Sequence, residues 1–377
     1  MNHIMETTNK PVSKRLYSLD ALRGFDMFWI MGGEGIFAAL AALTGWPVLE
    51  WWAEQCEHVP WHGFHFYDMI FPLFLFIAGI SFPFSVAKRI ANNDSRKSIY
   101  KHVIGRGLIL VFLGILYNNG VKFNFDSLRY GSVLGRIGLA WMFAALIFMN
   151  TKLTSRIIWF WVILLGYWLL MVLFPAHDLG STDIFSREGN LASHIDRLIM
   201  PGRLYLGNHD PEGLFSMIPA IGTALLGMFT GEFMLSNYLN DKPVRKTLYL
   251  ALAALALMII GQVWNLTFPI NKNIWTSSFV CFVGGLSLLL FSIFHLIIDV
   301  WQFKKWAFFF VVIGMNPITI YLAGRIVNFR SAARFFFGGF TSILPETWAP
   351  LIDAIGITAV GWVFLYILYK KKIFLKV

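Results

Sequence analysis

Apolar positions run through the chain in long, nearly uninterrupted stretches. They show neither the alternation of a half-buried strand nor the single stripe of a surface helix. Ten stretches occur, at roughly 19–43, 65–87, 103–118, 132–149, 157–174, 214–236, 247–267, 276–299, 306–326 and 350–369. A helix needs about 20 mostly apolar residues to cross the hydrocarbon, where each backbone polar group must be paired within the protein. The pattern predicts an all-α polytopic membrane protein of about ten transmembrane helices. The third stretch is short and the ninth contains Pro317, so these two are expected to be the least regular. Residues 1–377 read as a single transmembrane domain, with 1–15 as a polar arm and 175–213 as a loop too long for a simple connection.

Composition agrees with the pattern. Of the 377 residues, 57% are hydrophobic and 14% charged, against about 25% charged in soluble domains. The net charge of +10 could serve nucleic acid, but the positions of the cations argue otherwise. Nineteen Lys and Arg fall on the N-terminal arm, the even-numbered turns and the tail, and nine on the opposite loops. An excess of basic residues marks cytoplasmic loops, so both termini are expected in the cytoplasm and no nucleic-acid partner is expected. The polar first 15 residues lack the apolar core of a cleavable leader. Cys56 and Cys281 lie far apart and encode neither a zinc site nor a disulfide framework.

Ionisable residues inside spans are costly and face the bundle interior or water. The first span carries Asp20, Arg23, Asp26 and Glu34. At about 100° per residue these four share one arc of an ideal helix. Asp20, Arg23 and Asp26 can pair with one another, whereas Glu34 has no basic neighbour at helical spacing. His58 precedes the second span, on the side where Glu34 ends the first. A neutral imidazole beside a carboxylate is the equipment of general-base chemistry on an amine or hydroxyl. His62, His65 and Asp68 follow at three-residue spacing without a full ligand set, so no metal is expected. Arg136 opens the fourth span and Asn316-Pro317 interrupts the ninth, positions that a snorkelling cation and a helix–helix hydrogen bond would also explain.

Five blocks, in order, carry a resemblance. Arg15-Leu16-Tyr17-Ser18-Leu19-Asp20-Ala21-Leu22-Arg23-Gly24 comes first, then His58-x-x-Trp61-x-Gly63 with Asp68-Met69-Ile70-Phe71-Pro72. Asp210-Pro211-Glu212-Gly213, Asn271-Lys272-Asn273-Ile274-Trp275-Thr276 and Gly314-Met315-Asn316-Pro317 follow. Across about 15–325 the chain resembles the transmembrane acyltransferase family of the heparan-α-glucosaminide N-acetyltransferase type. The resemblance implies transfer of acetyl from cytosolic acetyl-CoA to a glucosamine amine across the membrane. It makes His58 the catalytic residue, with Asp68 and Glu34 beside it. Glu34 stands where the lysosomal enzyme has an active-site Asn, which leaves the acceptor open. Arg15, Arg23, Arg89, Arg106 and Arg136 are the expected partners of the acetyl-CoA phosphates. For the amino sugar or glycan acceptor the expected contacts are Trp61, Asp210, Glu212, Lys272, Asn273, Trp275 and Asn316. Bacterial relatives point to a cytoplasmic (inner) membrane with the active site towards the periplasm, and the lysosomal one to a homodimer. An amino-sugar or small-solute transporter and an envelope glycan O-acetyltransferase fit the same residues.

Overall fold

The computed structural model describes residues 16–120 and 127–375; Arg15, expected at the donor phosphates, lies outside the described residues. The first span is α1, Tyr17–Phe28, and α2, Glu34–Thr44, joined through a π-helical turn at Trp29–Gly33. A short α3, Pro47–Gln55, leads to the segment bearing His58. Four spans follow: α4 Ile70–Ala91, α5 Arg96–Asn119, α6 Val133–Asn150 and α7 Leu153–Leu173. The long loop contains α8, Leu191–Ile199. Then come α9 Met217–Leu235, α10 Pro243–Asn265 and α11 Ser277–Phe294, the last prolonged by a π turn to Val300. The chain closes with α12 Ala307–Gly314, α13 Pro317–Ile326, α14 Phe329–Ile343 and α15 Ala349–Lys370.

Among the described residues nine helices are long and apolar enough to span a membrane, or ten if α12 and α13, bent by 69°, form one span. Phe308 of α12 packs edge-on against Tyr366 and Tyr369 in the last turns of α15. Tyr321 of α13 stacks at 4.5 Å on Tyr117, in the last turn of α5. Counted as one span, α12 and α13 give the expected ten passes and bring both described termini to one end, here the terminal end. The loops after α2, α5, α7, α10 and α13 gather at the other, the loop end.

Three expectations change on contact with the structure. The third span is not short, because Ser95 accepts a hydrogen bond from the Ser98 amide and starts α5 at Arg96, before the apolar run begins. The first span is not one ideal helix. Gly32 takes φ +130°, a conformation open to glycine and few others. A π turn holds more residues than an α turn, so the shared arc calculated for an ideal helix does not extend past Phe28. Asn316, expected at the acceptor, instead joins the helix break to the tail. Its Nδ2 donates to the Ile373 carbonyl at 3.0 Å and its Oδ1 accepts from the Leu375 amide at 3.2 Å.

Glycines let the spans approach closely, as expected where helix association relies on van der Waals contact. A Cβ on Gly24 would lie 1.7 Å from the Phe310 carbonyl oxygen, and one on Gly314 would lie 1.9 Å from that of Asp20. Thus the first and fifth sequence blocks are the two faces of one helix crossing, where Arg23 also donates to the Gly314 carbonyl. Gly24→Ala is expected to destabilise the protein by about 1–3 kcal/mol, read as a lower Tm in detergent. Gly105→Ala, where a Cβ meets nothing within 4 Å, should leave Tm unchanged or raise it.

Candidate active site

The second and fourth sequence blocks meet at the loop end. His65 begins a short turn whose own amide donates to Asp68 Oδ2 at 3.0 Å, and the Val59 amide reaches the same oxygen at 3.4 Å. The other carboxylate oxygen lies 2.8 Å from His58 Nδ1. An ionised carboxylate only accepts, so Nδ1 carries the proton and Nε2 keeps a basic lone pair. Asp68 is 1% exposed and His58 50%. A buried anion thus aims a solvent-facing imidazole. Tyr67 closes one side, its ring centroid 4.9 Å from that of His58.

Lys272 comes from the turn between α10 and α11. Asn271 Oδ1 accepts the amides of Asn273 and Ile274, Thr276 accepts that of Asn271, and Trp275 takes φ +50°. The Gly63 amide donates to the Ile270 carbonyl, and Asn271 Nδ2 lies 3.2 Å from His62 Nδ1, binding this turn to the His58 segment. The Lys272 ammonium sits 3.0 Å from each His58 nitrogen and 3.6 Å from Asp68. Burial pushes its affinity for the proton below the usual lysine range, and the Asp68 carboxylate works against that shift. Since Nδ1–H is given to Asp68, the ammonium donates to Nε2. Asn273 contributes its backbone amide to the turn.

Glu34 reaches the same region from α2. The Tyr67 hydroxyl lies within Coulombic reach of Glu34, Cys56 and Asp26, and one Glu34 oxygen is buried without a hydrogen-bond partner. Glu34 also lines a cavity of about 1200 Å³ between α2, α13, α14 and the start of α15. Deeper in the bundle a pocket of about 30 Å³, bordered by Met27, Ile30, Phe71 and Tyr321, adjoins it, room for about one water.

The remaining expected residues divide sharply. Arg23 donates to Ser81 at 3.0 Å and pairs with Asp20, while Arg106 stacks on Trp141 within Coulombic reach of Arg23. Both Asp26 oxygens and Arg106 Nε are buried without a hydrogen-bond partner among the described residues. Arg89 is tied to Asp94 at 3.0 Å. Arg136, expected at the donor phosphates, is buried near the loop end. It is held by Gly213 and Ser216 and stacks on Trp275, far from Arg89 along the bundle axis. Its charge secures the α6–α9 packing instead.

Three acceptor contacts are likewise committed elsewhere. Asp210 is fully buried, gripped by Arg129 at 2.7 and 2.9 Å and by the amides of Tyr205 and Glu212. The same guanidinium holds Glu212, so this pair serves the loop fold. Trp275 is 0% exposed and bonds Thr223, leaving no face for a sugar. Trp61 is half-buried, donates to the Phe185 carbonyl at 2.8 Å and meets His209 edge-on. Asn271, Tyr67 and Arg129 were missed because a turn-building amide, an interior phenol and a loop cation carry no spacing signal.

The fold and site define an α-helical membrane protein with an aspartate-oriented histidine exposed at one end. No family model matches the chain. It is 26% identical to the human (Homo sapiens) heparan-alpha-glucosaminide N-acetyltransferase, in an alignment covering 98% of this chain and 62% of that protein. Identity to the mouse (Mus musculus) enzyme of the same name is 25%, covering 96% and 61%. The resemblance read from the five blocks therefore extends over nearly the whole chain, which spans about three-fifths of the length of these relatives.

Two buried groups in the long loop give the stability a pH dependence. His209 bonds Ser193, and burial lowers its value from 6.5 to about 3. Asp196 accepts from the amides of Leu214 and Phe215 in the turn before α9, and burial raises it from 3.8 to about 6. Between pH 3 and 6.5 the unfolded chain binds the extra proton on His209, so that contribution to stability rises with pH. Between pH 3.8 and 6 the folded chain binds the extra proton on Asp196, so that contribution falls. His209→Gln is expected to flatten the loss of Tm on acidification and Asp196→Asn to steepen it, measured from pH 7 to 4.

Proposed function

We infer that the protein is a membrane acetyltransferase that moves acetyl from cytosolic acetyl-CoA to the amine of a glucosamine-type sugar at the loop end. The observation that carries this reading is the Asp68–His58 pair, which leaves Nε2 as the basic nitrogen of a half-exposed imidazole. The printed names of the relatives supply the reaction class. The Lys and Arg distribution supports a cytoplasmic terminal end. Arg23 and Arg106 form the half-buried cationic pair best suited to the donor's anionic groups, since like charges held together favour an anion between them.

In the direct route Nε2 takes the ammonium proton, and the freed amine attacks the thioester carbonyl. The tetrahedral intermediate collapses by breaking the C–S bond. The imidazolium gives that first proton to the departing thiolate, and the freed Nε2 then takes the second proton from the new amide nitrogen and releases it to solvent. Asp68 holds the imidazolium while it exists. Glu34, within reach of Tyr67, is suited to receive an acceptor ammonium. Lys272 occupies the Nε2 lone pair until the acceptor's own ammonium takes its place. For the pantetheine arm to reach this point, α1, α4, α6 and α13 have to part at the narrow pocket below Glu34.

Purified protein in nanodiscs, given labelled acetyl-CoA and glucosamine, is expected to yield N-acetylglucosamine. His58→Ala and Asp68→Asn should lower kcat/KM by about 10²- to 10⁴-fold, with Tm held near that of the parent as the folding control. Acetyl found only on hydroxyls would move the assignment to an O-acetyltransferase. Full activity in His58→Ala would remove the mechanism. Lys272→Met should raise activity at low pH relative to high pH, because a competitor for Nε2 is gone; an unchanged profile argues against displacement.

A further inference from the structure

The cavity beside Glu34 holds about 1200 Å³, above the roughly 300–1,000 Å³ of common small-ligand pockets. Its interior is strongly divided. Met27, Ile30, Met31, Ile320 and Ile357 form an apolar wall, while Arg325 and Arg330 stand on the rim. Arg334 is also there, but Asp353 takes its charge at 2.9 Å. Among the described residues Arg325 and Arg330 have no carboxylate partner, and Arg325 lies over the Tyr117 ring. Glu346 is the remaining rim carboxylate, so free cations outnumber free anions at the mouth.

The wall is continuous with the bilayer-facing surface. Ile30 of the lining is 36% exposed and Ile326 at the rim 84%. Alongside the mouth, α14 turns Phe335, Phe336, Phe340 and Ile343 outward and carries Arg330 and Arg334. A helix of this kind lies in the membrane interface, with its cations at headgroup depth and its apolar face against the acyl chains. The arginines therefore stand at the depth of lipid phosphates, and the apolar wall runs into the hydrocarbon beneath them.

We propose that this cavity binds an amphiphile bearing a phosphate, with the phosphate on Arg325 and Arg330 and the chain along the Met27–Ile357 wall. Resting on the acetyltransferase reading above, the amphiphile is the acceptor: an amino sugar carried on a lipid phosphate, with its amine directed towards Glu34 and His58. The planar guanidinium matches phosphate oxygens in pairs, whereas a soluble sugar has no use for a methionine- and isoleucine-lined wall.

The test separates binding from turnover. Protein in phosphatidylcholine nanodiscs is titrated with dodecyl phosphate, inorganic phosphate and dodecyl maltoside. Saturable one-to-one binding of dodecyl phosphate is expected, weakened at least about tenfold in Arg325→Gln/Arg330→Gln, with the other two probes far weaker. Equal binding of inorganic phosphate would make the ligand a free phosphate and overturn the amphiphile. Equal binding of the maltoside, or no effect of the double variant, would overturn the phosphate site. Turnover is then compared for glucosamine, glucosamine 1-phosphate and glucosaminyl dodecyl phosphate. The last should have the lowest KM, raised at least tenfold in the double variant while kcat on free glucosamine stays unchanged. No turnover on any acceptor, with binding intact, would sink the acetyltransferase reading and leave the site standing. Equal KM for the three would overturn the acceptor assignment alone.

Discussion

One buried carboxylate organises the loop end. Asp68 collects the imidazole N–H of His58 and two backbone amides, and draws Lys272 to within 3.6 Å. An anion with 1% exposure is tolerated only when its lone pairs are met. Meeting them fixes the segment before α4, fixes the tautomer of His58 and brings the turn between α10 and α11 against it. Two blocks more than 200 residues apart become one site through this single acceptor. Remove its charge and three consequences follow together: the imidazole is free to rotate, the tautomer is no longer dictated, and Lys272 loses its counterion.

Much of the bundle was legible in the sequence because the bilayer imposes a strict rule. Long apolar runs have to be helices, and their number sets the relative sides of the termini. What escaped was local backbone chemistry. Ser95 lengthened α5 against the apolar count, and Gly32 rotated Glu34 away from the arc predicted for it. Neither effect leaves a mark in hydrophobicity. Around His58 the Asp68 partner was implied by the family resemblance of the second block, while no role was read for Asn271 in the fourth, because its role is to fold a turn.

Charges misled more than apolar residues did. Asp210, Glu212 and Arg136 are all rare types at loop-end depth, and each was expected to meet a substrate. Arg129, Gly213 and Ser216 satisfy them internally. A buried charge can be bound by the protein as well as by a ligand, and sequence alone does not separate the two. Unmet atoms narrow the field without closing it. Among the described residues Asp26, Glu34 and Arg106 retain such atoms inside the bundle and Asp210 has none, while Arg136 keeps its Nε unmet despite its bonds to Gly213 and Ser216. Asp26, Glu34 and Arg106 lie on or face the first span.

On the acetyltransferase reading proposed above, the Lys272 ammonium would keep the half-exposed imidazole in register until an acceptor arrives. It is a primary ammonium at 3.0 Å from Nε2, the same chemical group as a protonated sugar amine. On that reading an acceptor ammonium taking its place would exchange one cation for another next to Asp68, with the local charge the same before and after. Only the tether differs. Lysine reaches in on a flexible stem from an anchored turn and is able to withdraw, while the acceptor's amine is attached to the group that has to react. A neutral side chain at this position would leave Asp68 and His58 without a cation until binding, and a shorter cation would not span the gap. On that reading, charge matching with a removable tether would let one geometry serve both the empty and the occupied site.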